Sequence, residues 1–380
     1  MSTWSKAVIL VLSAGLAAAQ DVRLDSPSSV KVDLPQDSPL TLLSANFGES
    51  RASARGGALV LDLHMQLSLR NSSPMRVRGV TLLVTAQEVM PGGKASVAVP
   101  SLSVAPGEMF PVRIDLRLLR PLQASPAGPL VEIGLDGVLF DNFAFYGPNR
   151  LNSRRSMVAW EMEAQRDRQY FKSVLRAGGA GLLQQEVLQS LNRQAERPRL
   201  NVKVSRGGRS VSSAAPDRAA RFAFVRLPGS PVEPENGWAE IAGNRARAPE
   251  IQVRNVSPEL VRYVEIGWLV KDSQGREFMA ASVPATDNDI LLRPGTRGRV
   301  LQNTAFQFSS EEGTPVSIQS MTGFVSQVEY ADGRVWVPSR AALQTSALLG
   351  VVAPSPEEQR LTDLYRKRGL PALLAELEKF

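Results

Sequence analysis

The sequence contains no cysteine and only one histidine, His64, among its 380 residues. Without cysteine the chain cannot form disulfides, and it cannot carry the lipid-modified cysteine of a bacterial lipoprotein. A histidine-based catalytic triad or a multi-histidine metal site would have to depend on the single ring of His64. After the first 19 residues no stretch approaches the roughly eighteen uninterrupted apolar residues of a membrane-spanning helix. These absences favour a non-catalytic protein, and we expect no cofactor and no bound metal.

The first 19 residues have the pattern of a secretory signal peptide. Lys6 supplies the positive charge, residues 7–16 form a short apolar run, and residues 17–19 are alanines that suit a cleavage site. An uncleaved anchor is the alternative. We expect export, cleavage after Ala19 and a secreted or periplasmic location. The missing cysteines favour a bacterial envelope, and the polar residues 20–38 predict an N-terminal linker.

Two segments of the sequence are nearly the same. Residues 69–80 read LRNSSPMRVRGV and residues 253–264 read VRNVSPELVRYV, so seven of twelve aligned positions are identical. Chance would give about one identity. Further matches follow at slightly larger offsets: Pro106 with Pro294, Gly107 with Gly295, and Phe140, Tyr146, Pro148 and Arg150 with Tyr330, Trp336, Pro338 and Arg340. We therefore predict a unit of roughly 180 residues that occurs twice.

Each half of the sequence begins with strand patterns. Leucine or methionine at every second position from Leu61 to Leu69 alternates with polar residues, which predicts a strand with one buried face. The same period of two recurs from Val80 to Val84, from Val112 to Leu118 and from Val264 to Val270. Glycine-containing turns separate these runs, and short strands between such turns predict antiparallel β-sandwiches.

Each half then becomes helical. Apolar residues at helical spacing extend from Met157 to Leu175, and Gly178 with Gly179 predicts a break. In the second half, residues 355–358 read SPEE, a capping box with proline at the first helical position. Gly369 ends that helix. The predicted fold is mainly β with α: two tandem Ig-like β-sandwiches, each followed by a helical hairpin. Our boundaries are 39–150, 151–196, 197–345 and 346–380.

The NxSP turn followed by alternating apolar residues resembles the immunoglobulin-like sandwiches of bacterial extracytoplasmic proteins. Residues 60–87 and 247–276 carry this resemblance. It implies a sandwich and an adhesive or scaffolding role, and it names no activity.

Two sets of residues are candidates for binding. Residues 197–221 hold seven basic residues and one acid, which predicts a basic loop. The possible anion-contacting residues are Arg197, Arg199, Lys203, Arg206 and Arg209. A solvated inter-domain loop is the alternative, and the lack of aromatics at its centre argues against nucleic acid.

The second set is the aromatic pair Tyr146 and Trp336. Each ends a strand two residues before a proline, where sandwich meets helices. We expect each ring to pack at this junction, and the alternative is an exposed ring that stacks on a ligand.

The sequence favours an exported non-catalytic binding or assembly protein of the bacterial cell envelope, whose partner is another envelope protein or a surface polymer. Two alternatives remain open. One is a binder of anionic polysaccharide through the basic loop, and the other is an envelope hydrolase with an unrecognised site.

Overall fold

The computed structural model describes residues 22–24, 29–55, 57–87, 92–121, 129–206, 218–284, 289–301 and 304–380. The predicted signal peptide and Arg209 lie outside these ranges. The described chain is mainly β with few helices, and its strands form four sheets. No helix within the described ranges combines the length and apolarity needed to cross a membrane.

The first half of the chain forms two sheets. Its strands are β1 (Val22–Arg23), β2 (Val30–Asp33), β3 (Leu40–Asn46), β4 (Arg51–Arg55), β5 (Ala58–Asn71), β6 (Val77–Thr85), β7 (Lys94–Val99), β8 (Met109–Pro121), β9 (Val131–Phe140) and β10 (Phe145–Tyr146). In sheet 1, β5 pairs with β3 and β4 along one edge and with β8 along the other, and β1 pairs with β4. Sheet 2 has the order β10-β9-β6-β7, with β2 parallel to β9.

The buried faces of sheets 1 and 2 share one hydrophobic core. Leu63 and Leu67 of β5 are fully buried, whereas His64 between them faces solvent, as the alternation predicts. Leu82 of β6 and Ile133 of β9 complete the same core. Burying each such side chain contributes about 1.5–3 kcal/mol, and this paired arrangement fits a β-sandwich.

The second half also forms two sheets. Its strands are β11 (Asn201–Arg206), β12 (Arg218–Arg221), β13 (Ala223–Val225), β14 (Val232–Ala242), β15 (Arg245–Asn255), β16 (Val261–Asp272), β17 (Glu277–Pro284), β18 (Arg297–Leu301), β19 (Thr304–Ser309), β20 (Ile318–Tyr330) and β21 (Val335–Trp336). Sheet 3 has the order β11-β19-β15-β14-β12, with β18 also on β15. Sheet 4 has the order β13-β20-β16-β17, with β21 on β20. Fully buried Trp268 lies in their shared core, 4.7 Å from the ring of Phe222.

Helices follow each pair of sheets: α1 (Ser153–Glu196), α2 (Arg340–Thr345), a 3₁₀ turn (Leu348–Gly350) and α3 (Pro356–Glu378). The backbone leaves helical geometry inside α1 at Gly178 and Gly179, and inside α3 at Gly369. Ser355 caps α3 by accepting a hydrogen bond from the backbone N–H of Glu358, as the SPEE motif predicts.

The helices of the two halves contact each other. Phe171, Leu183 and Val187 of α1 share one apolar cluster with Leu361 and Leu373 of α3. The first turns of α1 instead lie between the sheets, where Met157 and Val158 contact Leu139 of β9 and Val335 of β21. Helix α1 therefore joins both halves of the molecule.

Two sequence-based expectations need correction. Residues 20–38 are not a linker throughout, because β1 pairs with β4 and β2 runs parallel to β9. These strands of two and four residues are too short for an alternating pattern to be read from the sequence. The predicted basic loop likewise contains β11 and β12, which pair with β19 and β14.

Candidate functional site

Of the five predicted anion-contacting residues, the structure describes the side chains of Arg197, Arg199 and Lys203. Arg197 follows the last turn of α1 and turns toward a cleft, whereas exposed Arg199 pairs with Glu311 at 3.6 Å. Lys203 is an exposed residue of β11, and the backbone of Arg206 ends that strand.

The two junction aromatics lie at matching strand ends but have different contacts. Tyr146 is partly buried at the edge of the first core, and its hydroxyl donates to Asp37 at 2.8 Å. Partial burial and the Asp37 carboxylate raise the pKa of Tyr146. Trp336 is partly buried between the core of sheets 3 and 4 and the cluster that includes Leu343 and Leu348. Neither ring is fully exposed.

A cleft with both apolar and polar walls lies between α1, sheet 4 and the segment 337–355, and we call it the α1 cleft. Its volume is about 310 Å³. Its apolar wall is formed by Trp160, Met279, Phe324, Leu343, Leu349 and Val352. Its polar groups come from Glu163, Arg166, Arg197, Glu265, Ser326 and Gln327, together with Arg193 and Glu358.

Local geometry explains which side chains reach the cleft. Ser156, Trp160 and Glu163 recur every three or four residues and therefore lie on one face of α1. On β20 the two neighbours Ser326 and Gln327 both line the cleft. The pairing of β16 with β20 shifts register at this point, and such a bulge redirects side chains that would otherwise alternate.

Two buried polar atoms in the α1 cleft have no hydrogen-bond partner within the described ranges. They are Nε2 of Gln327 and Nε of Arg197. By contrast, Glu265 accepts a hydrogen bond from Tyr263 at 2.7 Å, and Arg166 donates to the carbonyl of Pro338 at 3.0 Å. Buried polar atoms are normally paired, so unpaired ones mark a place where a ligand could bond.

Glu163 has a strongly perturbed ionisation. Burial raises the pKa of Glu163 to about 7, and the negative charges of Asp167 and Glu265 act in the same direction, against Arg166. A substantial share of Glu163 is therefore protonated at neutral pH, so this group can either donate or accept a hydrogen bond.

A buried charge network fixes the helices that border the cleft. Asp167 of α1 accepts hydrogen bonds from Ser355 Oγ at 2.6 Å, from Arg166 at 2.9 Å and from Arg340 at 3.2 Å. Arg340 also donates to both carboxylate oxygens of Glu358, at 3.0 and 3.1 Å. Burial opposes ionisation of Asp167, yet these partners hold its pKa below the usual value.

His64 is not among the residues that line the α1 cleft. His64 lies on the solvent side of β5, with its Nδ1 3.1 Å from Asp115 Oδ1. Within the described ranges, no three His, Cys, Asp or Glu side chains come together in a way that could hold a metal ion.

The residues of the α1 cleft were missed by sequence reasoning, apart from Arg197. Glu163, Glu265 and Gln327 come from three separate elements, and none belongs to a recognisable motif. The helical spacing of Trp160 and Glu163 was the one usable signal, because it puts a carboxylate on the apolar face of α1.

Comparisons with known proteins identify no family. No family description matches the chain, and no curated protein matches it. Among solved structures, a Bordetella pertussis protein described as ApaA is 15% identical over 38% of this chain and 90% of its own, with a TM-score of 0.19. The structural genomics target SoR45 is 13% identical over 36% of this chain and 78% of its own, with a TM-score of 0.17.

A β-glucosidase from Kluyveromyces marxianus is 8% identical over 71% of this chain and 45% of its own, with a TM-score of 0.16. At TM-scores this low, none of these likenesses bears on fold or activity.

Proposed function

We propose that this protein is an exported, non-catalytic binding protein of the bacterial cell envelope that holds a segment of a partner protein in the α1 cleft. The cleft itself carries the proposal. Its volume of about 310 Å³ lies at the lower end of ordinary ligand pockets, which span roughly 300–1,000 Å³. Apolar walls with a few converging polar groups and one perturbed pKa are typical of a binding site.

An extended peptide would complement the unpaired groups of the cleft. Nε2 of Gln327 and Nε of Arg197 are donors that backbone carbonyls could satisfy. An apolar side chain of the partner would enter between Trp160 and Phe324, both of which line the cleft. Main-chain hydrogen bonds combined with a side-chain pocket are a common mode of peptide recognition.

We further propose that the chain contains one Ig-like unit twice. Repeated hydrogen bonds at the NxS turn support this duplication. Nδ2 of Asn71 donates to the carbonyls of Met75 and Val104, and its Oδ1 accepts from Ser73. Asn255 forms the same set of bonds in the second half, with Glu259, Leu292 and Ser257 as partners.

Strand register supports the same conclusion. Tyr146 pairs with Val138 across β10 and β9, and Trp336 pairs with Val328 across β21 and β20. Both pairs keep the sequence offset of 190 (336 − 146 and 328 − 138). In addition, β2 runs parallel to β9 and β13 runs parallel to β20, so each half adds one parallel strand at the equivalent place.

The helical parts of the unit are proposed to be hairpins. The breaks at Gly178–Gly179 and at Gly369 divide α1 and α3 into two segments each. Residues on both sides of each break, such as Phe171 with Leu183 and Leu361 with Leu373, belong to one apolar cluster. A chain that doubles back at each break would bring them together.

Export remains a proposal that rests on the sequence. The Lys6, apolar and small-residue pattern of residues 1–19 supports it. N-terminal sequencing of the protein from its producing cells should begin at Gln20, and a full-length product would contradict the proposal.

A hydrolase is the second candidate function. Burial raises the pKa of Glu163 to about 7, and Glu265 lines the same cleft, so two carboxyl groups are available there for acid and base roles. An anionic polymer held jointly by Arg197 and Arg199 has less support, because Arg197 turns into the α1 cleft while Arg199 pairs with Glu311.

Site-specific photo-crosslinking in the producing cells would test the proposal. A benzophenone amino acid at Met279, in the cleft, should give a discrete adduct with a second protein. The same probe at Met109, which is 60% exposed on β8, is the control and should give no such adduct. Glu163→Lys should abolish the Met279 adduct. Equal adducts at both positions, or none at Met279, would contradict the peptide-binding function.

Turnover assays distinguish a hydrolase from a non-catalytic binding protein. Hydrolysis of aryl glycosides or envelope polysaccharide by the purified protein, if lost in Glu163→Gln, would make the protein a hydrolase.

A further inference from the structure

The outer face of sheet 3 carries an exposed tryptophan. Trp238 of β14 is 40% exposed, whereas Trp268 of the facing sheet is fully buried. The strand alternates at this point, so that Ala239 and Ile241 enter the core while Asn236 and Trp238 face outward. The exposed indole of Trp238 leaves an aromatic face available to a ligand.

Polar side chains surround Trp238 on three neighbouring strands. Across β12 its register partner is exposed Arg221, and across β15 its partner is Glu250. One row along, Asn236 donates to Gln252 at 2.8 Å, and Gln252 is the register partner of Arg299 of β18. Asn236, Trp238, Glu250, Gln252 and Arg299 line a shallow groove of about 180 Å³. Arg221 lies beside this groove, on the neighbouring strand β12.

The charges of this groove are unevenly paired. Arg299 forms an ion pair with Glu250 that holds both side chains beside the ring. Arg221 has no ion pair to any residue that the structure describes. Of these three charged groups, Arg221 is therefore the one that brings an unpaired positive charge next to Trp238.

We propose that this groove binds an acidic polysaccharide, with a pyranose ring stacked on Trp238 and a uronate carboxylate bound by Arg221. The indole face suits the C–H face of a sugar, since aromatic faces carry partial negative charge. The amide pair of Asn236 and Gln252 and the fixed Glu250–Arg299 pair offer donors and acceptors to neighbouring hydroxyls. We propose an acidic polymer because the guanidinium of Arg221, which has no ion pair among the described residues, can bind a carboxylate through two parallel hydrogen bonds.

Titration calorimetry with defined oligosaccharides tests this site separately from the α1 cleft. The probes are tetragalacturonate, neutral cellotetraose and an oligothymidylate. The unsubstituted protein should bind tetragalacturonate best. Trp238→Ala should weaken that binding at least about tenfold, while Trp238→Phe keeps most of it. Arg221→Gln should lower the affinity for tetragalacturonate to that for cellotetraose.

Met109→Ala and Arg113→Gln are matched controls, because both residues are exposed on sheet 1. Each should bind tetragalacturonate as the unsubstituted protein does, and so should the cleft variant Glu163→Lys. If Trp238→Ala binds tetragalacturonate as tightly as the unsubstituted protein does, the binding is nonspecific attraction to a basic protein and the proposal is wrong. Tighter binding of oligothymidylate would overturn it in favour of a nucleic-acid surface, and an absence of tetragalacturonate binding would overturn it outright.

Discussion

Asn255 shows how a single side chain holds a turn. It is fully buried, and its amide donates to the carbonyls of Glu259 and Leu292 while its oxygen accepts from the backbone and side chain of Ser257. Removing the amide leaves those backbone groups without their partner, and an unpaired buried polar group costs about 1–3 kcal/mol.

Asn255→Ala should therefore lower the free energy of unfolding by about 1–3 kcal/mol. Urea denaturation measures this loss. The adjacent Val256→Ala is the control, because Val256 is 44% exposed and should change stability little. Equal effects of the two substitutions would show that the hydrogen bonds of Asn255 contribute nothing.

The raised pKa of Glu163 predicts that the stability of the protein depends on pH. Its pKa is about 7 in the folded protein, above the ordinary glutamate value of 4.5. Folding therefore favours the protonated form, so the contribution of Glu163 is fully present below about pH 4.5 and is lost as the pH rises through 7. At about 1.4 kcal/mol per pKa unit, the rise from 4.5 to about 7 corresponds to a loss of at most about 3–4 kcal/mol.

Glu163→Gln should reduce the fall in stability between pH 5 and pH 8, because glutamine cannot ionise. Denaturation at a series of pH values measures it, and the exposed Glu311→Gln is the control. The same slope in Glu163→Gln and in the unsubstituted protein would contradict the perturbed pKa.

At the scale of single elements, two nearby glycines in α1 should respond in opposite ways. Gly179 has φ 67° and ψ −165°, a conformation open essentially only to glycine. Gly181 lies after the break, and a Cβ there would meet nothing within 4 Å. Gly179→Ala should lower the free energy of unfolding by about 1–3 kcal/mol, and the melting temperature should fall accordingly. Gly181→Ala should raise stability by about 0.5–1 kcal/mol.

Thermal unfolding of the two glycine variants compares them directly. A Gly179→Ala variant as stable as Gly181→Ala would mean that α1 does not need its break.

The contact between α1 and α3 depends on buried charges. Arg340 is paired with Asp167 and Glu358, and its guanidinium lies 4.1 Å from the ring centre of Tyr170. Arg340→Ala should cost about 3–5 kcal/mol, because it leaves two carboxylates short of a partner in a buried site. Arg366→Ala is the control, since the exposed Arg366–Asp363 pair contributes about 0–1 kcal/mol. Urea denaturation of both variants tests the difference.

At the scale of the whole molecule, the two halves share apolar surface. The cluster that contains Leu183 of α1 and Leu373 of α3 is built from both halves. Fragments 20–196 and 197–380, produced separately, should each expose this surface and should form a 1:1 complex when mixed. Analytical ultracentrifugation measures the complex.

Leu373→Asp should prevent association of the fragments, because it buries a charge in the shared cluster. Leu291→Asp is the control, since Leu291 is 78% exposed. Fragments that stay separate would show that the shared cluster does not stabilise the contact between the halves.

The sequence by itself determined the local features. The alternation from Leu61 to Leu69 specified β5, because successive side chains of a strand point to opposite faces. The SPEE motif specified the start of α3, and Gly179 specified the break in α1. Each depends on neighbours within one or two turns, so a single segment contains enough information.

Only the tertiary structure decided which segments meet. β2 has too few residues for its pattern to be read, and its pairing with β9 spans about 100 residues of chain. The α1 cleft combines Glu163, Glu265 and Gln327 from α1, β16 and β20. The pKa of Glu163 follows from burial and from charges brought together by folding, and no sequence pattern expresses either quantity.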